Sequence, residues 1–164
     1  MKGIDEKRIE AIQSSGFKAA LVIAGGGTAA LHALVSHPGA SRFLLEAQVP
    51  YSPEAMLDYL GEKPDTFCSE EAAATMAGRA FERALVFSLG ETDRFPILGI
   101  ACTAALQTNR TRRGDDRAYL CIKSRADQVV RKVELTMDTR AGQEETVCCA
   151  LIDLIAEYVS GDAI

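Results

Sequence analysis

The stretch ALVIAGGGTAALHAL, Ala20 to Leu34, runs from an apolar segment through three glycines and a threonine into a segment of helical character. A glycine turn between a strand and a helix brings backbone N–H groups close to something, often an anion or a reacting oxygen. No serine, cysteine, lysine or histidine lies within the turn itself. What the turn holds is therefore the first question the sequence poses. The motif lacks the spacing and lysine of a P-loop and the spacing of a dinucleotide fingerprint. Two readings stand side by side: a tight turn with Thr28 as helix N-cap, or an anion site built from Gly25, Gly26, Gly27 and Thr28.

Outward from this stretch, strand and helix patterns alternate. Ile4, Arg8, Ile9 and Ile12 recur near helical spacing before Gly16, which predicts an amphipathic helix over residues 4–14. FKAALVIAGG reads as a buried strand, and HPG at 37–39 stops the helix that follows the glycines. FLLEAQVPYS predicts a second strand with Pro50 at its exit, and Pro53 suits the first turn of a helix over PEAMLDYLG. Ser69, Glu70 and Glu71 announce a long helix to about residue 87. FPILGIACTAAL reads as another buried strand, DDRAYLCIKS and QVVRKVELTMD as an antiparallel hairpin, and residues 143–158 as a closing helix. The expected fold is α/β: a three-layer α/β/α sandwich around a mixed, mainly parallel sheet that carries an antiparallel strand, formed as one domain over 1–164.

Composition bounds the chemistry. The 164 residues carry a formal net charge of −5, with 48% hydrophobic and 25% charged residues, as in an ordinary globular chain. That balance argues against nucleic-acid coating, although a local basic patch still suits phosphate. Five cysteines form no CxxC pair and only two histidines, His32 and His37, are present, which is poor material for a metal site. An odd cysteine count behind a charged amino terminus predicts reduced thiols and a cytoplasmic setting. No apolar run has the length of a membrane span, and no cofactor is called for.

Three loops follow apolar strands and are expected to meet along one sheet edge, where open α/β folds bind ligands. The first is GGGT. The second is PYSPE at 50–54, where Tyr51 offers a ring and Ser52 a hydroxyl, with Ser52 equally suited to cap the helix at Pro53. The third, CTAALQTNRTRRGDDR at 102–117, gathers Arg110, Arg112, Arg113 and Arg117 within eight residues of an acidic protein. Arginine forks fit phosphate or carboxylate oxygens, and a solvated loop paired with Asp115 and Asp116 is the alternative. Cys102 and Thr103 line the start of that loop. Neither has a base nearby in sequence, so a buried thiol and a loop hydroxyl are their default readings, with ligand contact the other.

The order Gly25-Gly26-Gly27-Thr28-Ala29-Ala30, Tyr51-Ser52-Pro53-Glu54-Ala55-Met56 and Gly99-Ile100-Ala101-Cys102-Thr103 resembles the C-terminal domain of the CinA, or competence/damage-inducible, family. Active members of that family are nicotinamide-nucleotide amidases, and their corresponding loops read E-S-x-T-G-G, Y-S-N-E-x-K and G-I-A-G-P. YLCI at 119–122 and Thr139-Arg140 resemble the family's next strand and its G-x-R. The resemblance covers nearly the whole chain in element order. It implies that Gly26 stands where a serine nucleophile is expected and Met56 where a lysine base is expected. Glycine has no oxygen to attack an amide and methionine takes no proton.

Three functions remain open. The leading one is a CinA-like domain that binds a phosphorylated small molecule, with a pyridine nucleotide the first candidate, and has no catalytic residue. The second is an enzyme of altered chemistry on a nicotinamide nucleotide, using water or a hydroxyl of Thr28, Ser52 or Thr103. The third is an assembly subunit, which includes a homo-oligomer.

Overall fold

A computed structural model describes residues 3–88, 95–109, 115–137 and 139–162. In chain order its elements are α1 (Glu6–Gln13), β1 (Lys18–Ala24), α2 (Thr28–Ser36), a short 3-10 turn (Ala40–Arg42) and β2 (Leu44–Gln48). They are followed by α3 (Pro53–Leu60), α4 (Glu70–Phe87), β3 (Ile97–Ala105), β4 (Arg117–Lys123), β5 (Gln128–Glu134) and α5 (Arg140–Val159).

The five strands form one sheet in the order β2-β1-β3-β4-β5. β1 runs parallel to β2 and to β3, whereas β4 is antiparallel to both β3 and β5. Only β4 therefore runs against the rest, and the mainly parallel sheet with an antiparallel strand is the observed architecture. β1 lies level with β3 from Lys18 opposite Ile97 to Ala24 opposite Thr103. That register brings the glycine turn after β1 beside the carboxyl end of β3.

The period of two along β1 divides the core. Ala19, Leu21 and Ile23 pack into one apolar layer with Ile9 and Ile12 of α1, Ala30 and Leu34 of α2, and Val147, Leu151 and Ile155 of α5. Ala20, Val22 and Ala24 face the other way, onto Met56 and Leu60 of α3 and the alanines of α4. Every residue of β1 after Lys18 is buried, so the strand reads as an unbroken apolar run rather than an alternating one.

α4 comes unusually close to the sheet. A Cβ on Gly99 would lie 2.1 Å from the Ala77 carbonyl oxygen and 2.3 Å from the Phe81 nitrogen. The fully buried alanines 73, 77, 80 and 84 present no bulk that would hold the helix away. The helix ends follow local chemistry: Asp5, Ser52, Ser69 and Thr139 each accept a backbone N–H in the first turn of α1, α3, α4 and α5. His37 terminates α2, its Nδ1 lying 2.9 Å from the Ala33 carbonyl oxygen. α2 is the exception at its start, because its N-cap is Gly27 and no side chain of its own caps it.

Candidate functional site

The expectation that Thr28 caps α2 is corrected by the structure. Gly25 and Gly27 adopt φ of 79° and 107°, left-handed values that glycine enters without penalty, and the helix begins one residue earlier than expected. Thr28 becomes the first helical residue, with its side chain exposed at the mouth of a cleft. A Cβ on Gly25 would lie 2.0 Å from the Ala104 carbonyl oxygen, so only glycine lets the turn lie against β3.

The turn holds the carboxylate of Glu144, from the second turn of α5. The Gly27 N–H donates to Glu144 Oε2 at 2.8 Å and the Ala29 N–H to Oε1 at 3.3 Å. These are the donors that an external anion would otherwise use. Within GGGT it is the Gly27 N–H that this internal anion takes, so that donor is spent inside the fold. Gly26 is buried beneath Leu106, whose Cδ1 would stand 2.7 Å from any Cβ placed there.

Two adjoining concavities share Gly25 and Tyr51. One, about 430 Å³, is bordered by Gly26, Thr28, Val49, Leu106, Arg140 and Glu144. The other, about 300 Å³, is bordered by Pro53, Met56, Phe67, Cys68, Thr103 and Arg117. Tyr51, 69% exposed, stands between them. The glycine turn, the Tyr51 loop and the end of β3 thus converge at the carboxyl ends of β1 and β3, beside the point where strand order reverses.

The remaining expected site residues fare differently. Ser52 takes its capping role: its Oγ accepts the Ala55 N–H at 3.1 Å. Thr103 borders the second concavity, but its hydroxyl donates to the Phe67 carbonyl at 2.8 Å and so fastens the 66–68 segment to the sheet. Cys102 is corrected as a ligand contact. Its side chain is fully buried below the turn and its thiol donates to the Gly26 carbonyl at 3.4 Å. Burial pushes that thiol well above the ordinary range, reinforced by Cys148, Glu144 and Cys68.

Arg117 lines the second concavity while Nη2 donates to the Cys68 carbonyl at 2.9 Å and Nη1 to the Asp115 carbonyl at 2.7 Å. A guanidinium has five N–H donors, so these bonds position the fork and leave donors over. Arg110, Arg112 and Arg113 lie outside the described residues.

Three residues of α5 emerge that sequence reasoning did not place in the site. Arg140, exposed at the helix start, donates from Nη1 to the Gln107 carbonyl at 2.8 Å and borders the glycine cleft. Gln143 is buried and clasps the chain leaving β3, accepting the Gln107 N–H at 2.6 Å and donating to Asp116 Oδ2 at 2.8 Å. Glu144 is the third. The run Gln143-Glu144-Glu145 reads as an ordinary acidic helix start, and only the packing of α5 beside α2 selects Glu144 for the turn.

Chemically, the cleft offers an aromatic face, a carboxylate, guanidinium groups and apolar walls. Gly26 has no side chain, and Met56, 2% exposed, presents a thioether. Cys148, whose thiol donates to Glu144 Oε1 at 3.5 Å, is pushed up to about 12 by burial and by that carboxylate. Among the described residues no group of three or more His, Cys, Asp or Glu side chains gathers as a metal site, and no helix is long and apolar enough to cross a membrane.

No protein-family model and no curated protein matches this sequence. Solved structures do. A competence or damage-inducible protein from Enterobacter asburiae aligns with a TM-score of 0.71 at 17% identity, covering 94% of this chain and 96% of its own. The competence/damage inducible protein CihA from Agrobacterium tumefaciens aligns at 0.75 and 16%, covering 94% and 92%. A competence-damaged protein (CinA) superfamily protein from Escherichia coli aligns at 0.68 and 18%, covering 90% and 84%. Along nearly its whole length, then, this chain has the fold of the CinA proteins, as the order of its three loops implied.

Proposed function

We propose that this chain is a divergent CinA-like domain that binds a phosphorylated small molecule, with a pyridine nucleotide as first candidate, and that the serine and lysine of the family's amidase site have been replaced by Gly26 and Met56. The observation that supports it most is the meeting of three loops at one cleft, where an exposed tyrosine stands between two arginine-bearing ends. In this arrangement Tyr51 takes the heteroaromatic ring, while Arg140 and Arg117 face the phosphate. A side chain at position 26 would have to turn the Leu106 side chain aside, since its Cδ1 lies 2.7 Å from where a Cβ there would stand.

Calorimetric titration with nicotinamide mononucleotide and with the corresponding riboside tests the reading. The phosphorylated ligand should bind more tightly, and its advantage should shrink as salt rises. Arg140→Ala and Arg117→Ala should each cost about 1–3 kcal/mol for a lost charge-assisted contact. Ammonia release from the mononucleotide should stay at background. Equal affinity for the two ligands would remove the phosphate site, and ammonia release abolished by a single pocket substitution would remove the claim of lost chemistry.

A further inference from the structure

We infer that the second concavity is a binding site for a small hydrophobic monocarboxylate, held by Arg117 at its carboxylate and by aliphatic walls along its chain. The inference goes beyond the function proposed above, because it concerns the concavity between the Tyr51 loop and the 66–68 segment alone. It begins with the state of Arg117. The residue is half-buried, and its guanidinium donates to two main-chain carbonyls, those of Cys68 and Asp115. Among the described residues no carboxylate forms an ion pair with it. Asp116, its neighbour in sequence, turns instead to Gln143, whose Nε2 donates to Oδ2 at 2.8 Å. Two neutral carbonyls do not cancel a full positive charge, and they leave three of the five guanidinium N–H groups for a ligand. A half-buried charge with no counter-ion among the described residues, set in the wall of a cavity, calls for an anion from outside.

The rest of the cavity decides what that anion carries. It holds about 300 Å³, and its walls are mainly aliphatic: Ala24, Pro53, Met56, Ala104 and Ala105, with the ring of Phe67. The buried polar side chains beside them are already committed. The Thr103 hydroxyl donates to the Phe67 carbonyl at 2.8 Å, and the Cys68 thiol is shared between the carbonyls of Thr103 at 3.5 Å and Arg117 at 3.6 Å. Neither has a proton left for a second polar group on the ligand, so the cavity supplies apolar contact and one charge. Met56, with its flexible thioether, adapts to the shape of an alkyl chain. The count of charges favours a carboxylate. One guanidinium matches its single negative charge, and the planar fork matches its planar group in shape. A phosphate monoester carries about 1.5 to 2 charges near neutrality and needs Arg140 as well, which lines the other concavity.

The experiment titrates the purified protein by calorimetry with hexanoate, 1-hexanol and acetate. Hexanol keeps the chain and drops the charge, whereas acetate keeps the charge and drops the chain. Hexanoate should bind about tenfold more tightly than hexanol. It should also bind at least about tenfold more tightly than acetate. Arg117→Gln should bring hexanoate within about threefold of hexanol while leaving hexanol itself unchanged, whereas a merely structural role would weaken both. A circular-dichroism melt checks that this variant is folded. Should it unfold, amide chemical shifts of the unmodified protein carry the test, and on addition of hexanoate they should move most at Phe67, Cys68 and Ala104. Equal affinity of the unmodified protein for hexanoate and hexanol overturns the carboxylate site. Equal affinity for hexanoate and acetate overturns the apolar cavity as its partner. A full preference for hexanoate over hexanol in folded Arg117→Gln overturns the assignment to Arg117, and shifts centred on Thr28 and Leu106 overturn the assignment to this concavity. A tie between nicotinamide mononucleotide and its riboside would remove the phosphate reading and leave each of these results standing, so the two readings fall separately.

Discussion

Replacing Gly99 by alanine should be among the most damaging single-methyl additions in this protein. The new Cβ would fall 2.1 Å from the Ala77 carbonyl oxygen, 2.3 Å from the Phe81 nitrogen and 2.7 Å from the Phe81 Cα. All three are backbone atoms of α4, so no side-chain rotation relieves the overlap. The helix must retreat from the sheet by roughly 1 Å to restore ordinary contact, and close-packed interiors accommodate such a shift poorly. That retreat also loosens Ala73, Ala77, Ala80, Ala84 and Met76, which are buried in the same apolar layer. Overpacking costs about 1–3 kcal/mol, and the opened contacts along α4 push the total to the upper end of that range or beyond. For a domain of this size, 3 kcal/mol corresponds to a fall of about 6–12 °C in Tm. Gly78→Ala supplies the control. It lies in the same helix with nothing within 4 Å of its Cβ position, and should stabilise by about 0.5–1 kcal/mol. Thermal and urea unfolding by circular dichroism measure both. A Gly99→Ala protein melting within about 2 °C of the unmodified one would show that α4 does not approach the sheet as described.

Acid should weaken the protein partly through Glu46, which accepts two hydrogen bonds of 2.5 Å from Arg83. Those bonds hold its carboxyl below the ordinary value of 4.5. The stabilisation is therefore complete above 4.5 and is lost as pH falls through the lower folded value, so the melting temperatures of the unmodified protein and Glu46→Gln should converge in acid. A difference that stays constant down to about pH 3 would refute this. Thiol labelling of the native protein at about pH 8 should begin at half-buried Cys149 and lag at Cys102, Cys121 and Cys148. Burial pushes Cys121 up to about 11 and Cys148 up to about 12. Peptide mapping that finds Cys102 modified as fast as Cys149 would contradict its place beneath the turn.

The sequence carried the fold through local signals that packing did not overrule. The apolar runs at Lys18–Ala24 and Ile97–Ala105, the capping serines 52 and 69, and the hairpin at 117–134 all depend on near neighbours, and all are found where those signals placed them. The site was legible only in outline. Glycines at 25–27 announced a close approach, but the partner is Glu144, far along the chain, and nothing in its own neighbourhood distinguishes it from Glu145. Thr28 had the chemistry of a cap and lost the role because Gly27, at φ 107°, starts the helix sooner with a carboxylate brought from α5. Cys102 fell on the core side of β3 because side chains alternate along a strand, and the loop motif alone does not fix that phase.

Leu106 and Gly26 have a consequence for descent. Because the Leu106 Cδ1 lies 2.7 Å from where a Cβ at position 26 would stand, what 26 can hold depends on how Leu106 is turned. A side chain at 26 gains its place when Leu106 turns to another rotamer. A smaller residue at 106 first opens a void against the core, which costs stability with no return. Change at position 26 therefore draws on the setting of Leu106, whereas change at Tyr51 or Arg140, whose side chains are exposed, is free of that coupling.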